Sequence, residues 1–97
     1  MRILAIERPA DGSPGKPSTA DLHDEAARAW ELHQAGSLRE IYLTDRRSRA
    51  VILLECASAA EAHALLATLP LVERGFITFD VMELEPYPGF ARLFARR

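Results

Sequence analysis

The stretch LHDEAARAWELHQAGSLREIY, residues 22–42, gathers two histidines, one aspartate and three glutamates around a single tryptophan. Carboxylates and imidazoles are the side chains that most often move protons in catalysis. Helical spacing sorts them. At about 100° per residue, Leu22, Ala26, Ala29 and His33 fall on one stripe, which is expected to face the core. Leu32 and Glu25 lie on one flank of that stripe, and Trp30 and His23 on the other. Asp24 and Glu31 point to water. A carboxylate at the border of a buried stripe is partly desolvated, which raises its pKa toward the range of a working base. Glu25 is therefore the candidate proton carrier. His33, inside the stripe, is either a pocket residue or a satisfied core histidine. Eight residues, about 12 Å of helix axis, separate the two, so they do not form a dyad.

Other groups are placed by the strand that follows. Arg39 and Tyr42 can offer a guanidinium and a phenol to a ligand, but their odd spacing puts them on opposite strand faces. Three arginines in DRRSR (45–49) read as a solvated turn, with an anion contact as the sharper alternative. Asp80 shares a strand face with Thr78 and is either buried and partnered or exposed at an edge. Cys56 is the only cysteine. It excludes an internal disulfide, and the CxxC or CxxH spacing of a zinc site is absent. His23, His33 and His63 are too dispersed in sequence to argue a metal site. Neither a dinucleotide fingerprint nor a P-loop nor a nucleophile elbow occurs. The reading therefore calls for no metal and no cofactor.

These residues need elements to hold them. Residues 1–7 read as a strand, with Met1, Ile3 and Ala5 on one face and Leu4 and Ile6 on the other. Residues 8–18 are a proline- and glycine-rich loop, long for so small a domain. Thr19 or Asp21 can cap the helix that follows, and Gly36 ends it. Strands at 39–45 and 50–56 flank the arginine turn. Ser58 and Glu61 have capping-box spacing and open a helix with Ala62, Leu65, Leu66 and Leu69 on its apolar face, which Pro70 stops. A last strand spans 76–85. In the tail, 86–97, Phe90, Leu93 and Phe94 fall at the spacing of one short amphipathic helix. The order βαββαβ is the split βαβ, ferredoxin-like pattern, an α+β fold with a four-stranded antiparallel sheet and two helices on one face.

With 97 residues, the chain is long enough for one domain, taken as 1–97. Its net charge of -2, from 12 basic and 14 acidic residues, gives no field to attract nucleic acid. No apolar run approaches the roughly 20 residues that span a bilayer. MRILAIERPADG lacks the pattern of a signal peptide, so a cytoplasmic protein is expected. The strands are apolar on both faces, whereas an antiparallel sheet with one wet face should alternate. The uncovered face would expose a large apolar patch, and two copies packed sheet to sheet would cover it. A homodimer or higher homo-oligomer is expected, with the 86–97 tail packing on the partner.

The helix ending at Gly36 with SLREIY after it, LLATLPL at 65–71 and ITFDVMEL at 77–84 together resemble the muconolactone isomerase-like proteins and their YCII-related relatives, over roughly residues 20–88. The resemblance implies a dimeric α+β barrel and a cofactor-free double-bond shift in an unsaturated lactone. In that reaction a base takes a proton from a carbon activated by a carbonyl, and an acid returns one elsewhere. It places the family's Asp-Glu pair on Asp24 and Glu25. It also makes Arg39 the group that would hold the carboxylate of a small acidic ligand, with Tyr42 and His33 as further substrate-binding residues. Glu40 stands where the isomerases tend to have histidine, Tyr42 replaces a tryptophan, and VERGF lacks their Pro-Tyr. Two other readings stand beside the isomerase: a non-catalytic domain of the same fold that binds a small ligand or a protein, and a cofactor-free oxygenase or haem-handling barrel.

Overall fold

A computed structural model of the chain describes residues 1–95. It contains β1 (Arg2–Pro9), α1 (Thr19–Gln34), β2 (Leu38–Thr44), β3 (Arg49–Glu55), α2 (Ala59–Leu66), a one-turn helix α3 (Pro70–Glu73) and β4 (Ile77–Leu84). The four strands form one antiparallel sheet in the order β2-β3-β1-β4. This is the expected ferredoxin-like α+β architecture. Two points differ from the expectation: α2 ends at Leu66, before Leu69 and Pro70, and Pro70 opens a short helix α3 as its first residue, where its missing N–H costs nothing.

Pairing of Ile3 with Leu54, and of Ala5 with both Ile52 and Val81, puts these side chains on the helix-covered face. Ile3, Ala5, Ile52 and Leu54 are at most 1% exposed and pack with Leu66 and Leu69 from the α2 side and Leu32 from α1. Each large aliphatic side chain so buried contributes roughly 1.5–3 kcal/mol. The helices start where the chemistry allows. Ser18, not Thr19, caps α1: its Oγ accepts from the Asp21 N–H at 3.1 Å, while Asp21 Oδ2 accepts from the Ser18 N–H at 2.8 Å. Ser58 caps α2 by accepting from the Glu61 N–H at 3.2 Å. Gly36 follows α1 at φ +84°, the left-handed position that favours glycine.

The expected core stripe of α1 needs correction. Leu22 is exposed, and so is His33. The inward face is instead Asp21, Glu25, Arg28, Ala29 and Leu32, about one residue's rotation away. Polar bonds to the segment 68–74 hold the helix in that rotation. Arg74 donates to Asp21 at 2.8 Å and to Asp24 at 2.9 Å, Arg28 donates to Thr68 Oγ1 at 3.0 Å, and Glu25 accepts from the Leu71 N–H at 2.9 Å. Periodicity counts apolar residues and cannot weigh such bonds.

The other sheet face carries Leu4, Ile6, Val51, Leu53 and Met82 without a covering layer. At its rim Asp80 accepts from Arg8 at 3.1 Å, which makes it an exposed, ion-paired position. The tail forms a 3-10 turn at Pro88–Leu93 rather than an α-helix. Its Phe90, Leu93 and Phe94 are 67–81% exposed, so one chain leaves them uncovered. Arg96 and Arg97 lie outside the described residues. Among those described, no helix is long and apolar enough to cross a membrane.

Candidate active site

Small residues on α1 create the site. Ala29 faces the sheet and Ala26 the cavity edge, where bulky side chains would fill the gap, and a cavity of about 550 Å³ remains between helix and sheet. Its floor includes Ile52 and Phe79 from the sheet, Leu69 and Leu71 close one end, and Gly15 and Pro17 bring the long loop 8–18 to its edge. Ile41 and Leu43 of β2 stay about half exposed because β2 is the edge strand.

Glu25 lines this cavity and is half-buried. Burial pushes its carboxyl above the ordinary range, and the nearby charge of Glu7 adds to that. The Leu71 N–H and the Arg74 guanidinium pull the other way without reversing it. Its neighbour one turn earlier, Asp21, behaves oppositely: the Ser18 amide and hydroxyl, and then Arg74, hold it below the usual carboxylate range. The same helix thus carries one carboxylate lowered by its hydrogen bonds and one raised by burial.

The remaining sequence candidates stand elsewhere. His33 and Arg39 line a neighbouring groove with Trp30, outside the Glu25 cavity. His33 Nδ1 bonds the Leu38 carbonyl at 3.0 Å and its ring lies 5.5 Å from that of Trp30, so it ties the end of α1 to β2. Tyr42 pairs with Val51 in the sheet and shares its uncovered face, opposite the cavity. Its hydroxyl donates to Glu40 at 2.5 Å, and that bond raises the phenol pKa. A register shift at Arg39 separates Leu38 from Glu40, which upsets the simple alternation used to place these residues.

Two groups in the cavity were not singled out as site residues. Glu7 is half-buried on β1, and the signal was available: it continues the inward phase of Ile3 and Ala5. Arg47 lines the wall from the β2–β3 turn, one of three arginines in that turn. Asp45, Arg46 and Arg47 have φ of 50°, 59° and 72°, a left-handed turn closed by the Ser48 N–H donating to the Thr44 carbonyl at 2.9 Å. Left-handed non-glycine residues cost about 1–2 kcal/mol each. Arg47 has no ion-pair partner among the described residues.

Comparison with known proteins bears on the fold and the family. A crystal structure of muconolactone isomerase superposes with a TM-score of 0.70 at 23% identity, covering 91% of this chain and 92% of the other. The 5-chloro-2-hydroxyhydroquinone dehydrochlorinase of Burkholderia phenoliruptrix, solved with 2,5-dihydroxybenzoquinone, superposes at 0.62 and 17% identity, covering 88% and 94%. At these identities the two structures establish the fold alone. No curated protein sequence matches. The family model described as muconolactone delta-isomerase matches residues 5–89, which include β1 from Ala5 onward, both carboxylates of the cavity and the arginine turn. The chain belongs to the muconolactone delta-isomerase family.

Proposed function

We propose that this protein is a cofactor-free isomerase of small-molecule catabolism that shifts a double bond in an acidic, unsaturated substrate, with Glu25 as the base. The observation that carries the reading is a half-buried carboxylate, raised by burial, facing an apolar cavity large enough for a small organic acid. An apolar wall strengthens a carboxylate as a base and keeps water from the enolate formed when the proton leaves. Family membership supports this reaction class. Arg47 is assigned the anionic end of the substrate, because Arg39, His33 and Tyr42 stand outside the cavity. The substrate class is an unsaturated lactone acid or a close relative.

The working unit in this reading is a homodimer or larger homo-oligomer, joined through the apolar sheet face. Tyr42 then lies at or beside the interface, and the tail with Phe90, Leu93 and Phe94 packs on the partner. The test is a continuous ultraviolet assay of muconolactone isomerisation. Turnover by the wild type, with a loss of roughly 10²-fold or more in Glu25→Gln, supports the reading. A wild type that turns over neither muconolactone nor related unsaturated acids would refute it.

A further inference from the structure

The cavity holds a second carboxylate. The β1–β3 ladder ends at Ile6 and Val51, which leaves the Ala50 N–H without a strand partner. Glu7 Oε1 accepts it at 3.0 Å. Glu25 arrives from α1 and is fixed in the same manner, its Oε1 accepting from the Leu71 N–H at 2.9 Å. Each carboxyl is thus held by one backbone amide through one oxygen. In each, the second oxygen has no protein hydrogen bond among the described residues.

A plain structural role would not need an acid at position 7. A glutamine would satisfy the Ala50 N–H and avoid placing two negative charges on one apolar space. The cations nearby do not neutralise the pair. Arg74 is committed to Asp21 and Asp24, and Arg49 gives its Nε to the Glu7 backbone carbonyl at 3.1 Å. Arg47 is the other ionisable group on the cavity wall and pairs with neither carboxylate.

We infer that Glu7 and Glu25 form one acid–base unit, Glu25 taking the proton from the substrate and Glu7 relaying it to the second carbon. The inference rests on the proton-transfer reading above and deepens it. The step balances without a co-reactant. Glu25 takes a proton from a substrate carbon, and the C–H electron pair enters the conjugated carbonyl as a dienolate. Glu25 passes that proton to Glu7, directly or through water, and the dienolate uses the pair to form a C–H bond with it at another carbon. Both carboxylates then stand as they began.

The test is a ¹³C-carboxyl NMR titration of wild type, Glu7→Gln and Glu25→Gln. Each glutamine keeps the oxygen that accepts the Ala50 or Leu71 N–H, so both variants should fold. The expected result is reciprocal: removing either carboxylate moves the transition of the other to lower pH. If Glu7→Gln fails to fold, the Glu7 transition in Glu25→Gln gives the same answer. A transition that stays in place overturns the pairing and leaves Glu7 as an acceptor for Ala50 alone. Muconolactone turnover by the same proteins is read separately. With an active wild type, Glu7→Gln should lose roughly 10- to 10²-fold and its acidic limb should move, and an unchanged rate overturns the acid role. An inactive wild type refutes the isomerase reading, while the titration still decides the pairing.

Discussion

Glu25→Gln should make the protein slightly more stable at neutral pH while it abolishes the proposed activity. The reasoning is one of linkage. Burial raises the Glu25 carboxyl in the folded state above its unfolded value, which is about 4.3. Between those two values the folded state binds more protons than the unfolded one, so stability falls as pH rises through the window. Above the folded value the full cost of the buried charge is present. Below the unfolded value both states are protonated and the cost is gone. Glutamine cannot ionise, and its carbonyl still accepts the Leu71 N–H. What it gains is the desolvation cost, and what it loses is the extra strength of a charged acceptor. The side chain is only half-buried, so solvent screens both, and the net gain should be below about 1 kcal/mol. For a domain of this size that is a rise in Tm of at most a few degrees, given about 4–8 °C per kcal/mol. Thermal unfolding by circular dichroism at pH 7.5 and near pH 3.5 measures it. The expected difference is a small gain at the higher pH and none at the lower. A variant less stable than wild type at pH 7.5, or a difference that does not change with pH, would refute the argument. A residue whose removal stabilises the fold and stops the chemistry is one retained for function.

Two further outcomes test the rest of the site and its assembly. Arg47→Ala should raise KM for an anionic substrate about tenfold or more with little change in kcat, because it removes a contact made equally in ground and transition states. A steady-state comparison with an uncharged analogue checks this, since the analogue should be indifferent to the change. Leu53→Asp, in the middle of the uncovered sheet face, should dissociate the oligomer in sedimentation at micromolar concentration. It would bury two symmetry-related carboxylates against each other, at a cost of several kcal/mol, and an unchanged sedimentation coefficient would remove that face from the interface.

The element order was readable because it rests on local chemistry. Ser18 and Ser58 satisfy orphan amides within three residues, Gly36 takes a backbone angle that favours glycine, and the β-rich segments repeat apolar residues with period two. The two apolar faces of the sheet were equally plain, since Ile52 and Leu54 alternate with Val51 and Leu53 in one strand. Glu25 could be singled out because a carboxylate beside a helical apolar stripe is a local pattern. Tertiary structure decided everything that depends on how elements rotate and meet. The rotation of α1 came from Arg74, Thr68 and the Leu71 amide, residues 40 or more positions along the chain from their partners on the helix, which no helical wheel contains. That rotation exposed His33 and left Ala26 and Ala29 to roof a cavity instead of filling a core. A register shift at Arg39 and the edge position of β2 put Tyr42 on the far sheet face and Arg39 in a separate groove. The meeting of Glu7 with Glu25 follows from the same cause: α1 crosses the sheet, and only a crossing brings a strand carboxylate and a helix carboxylate to one space.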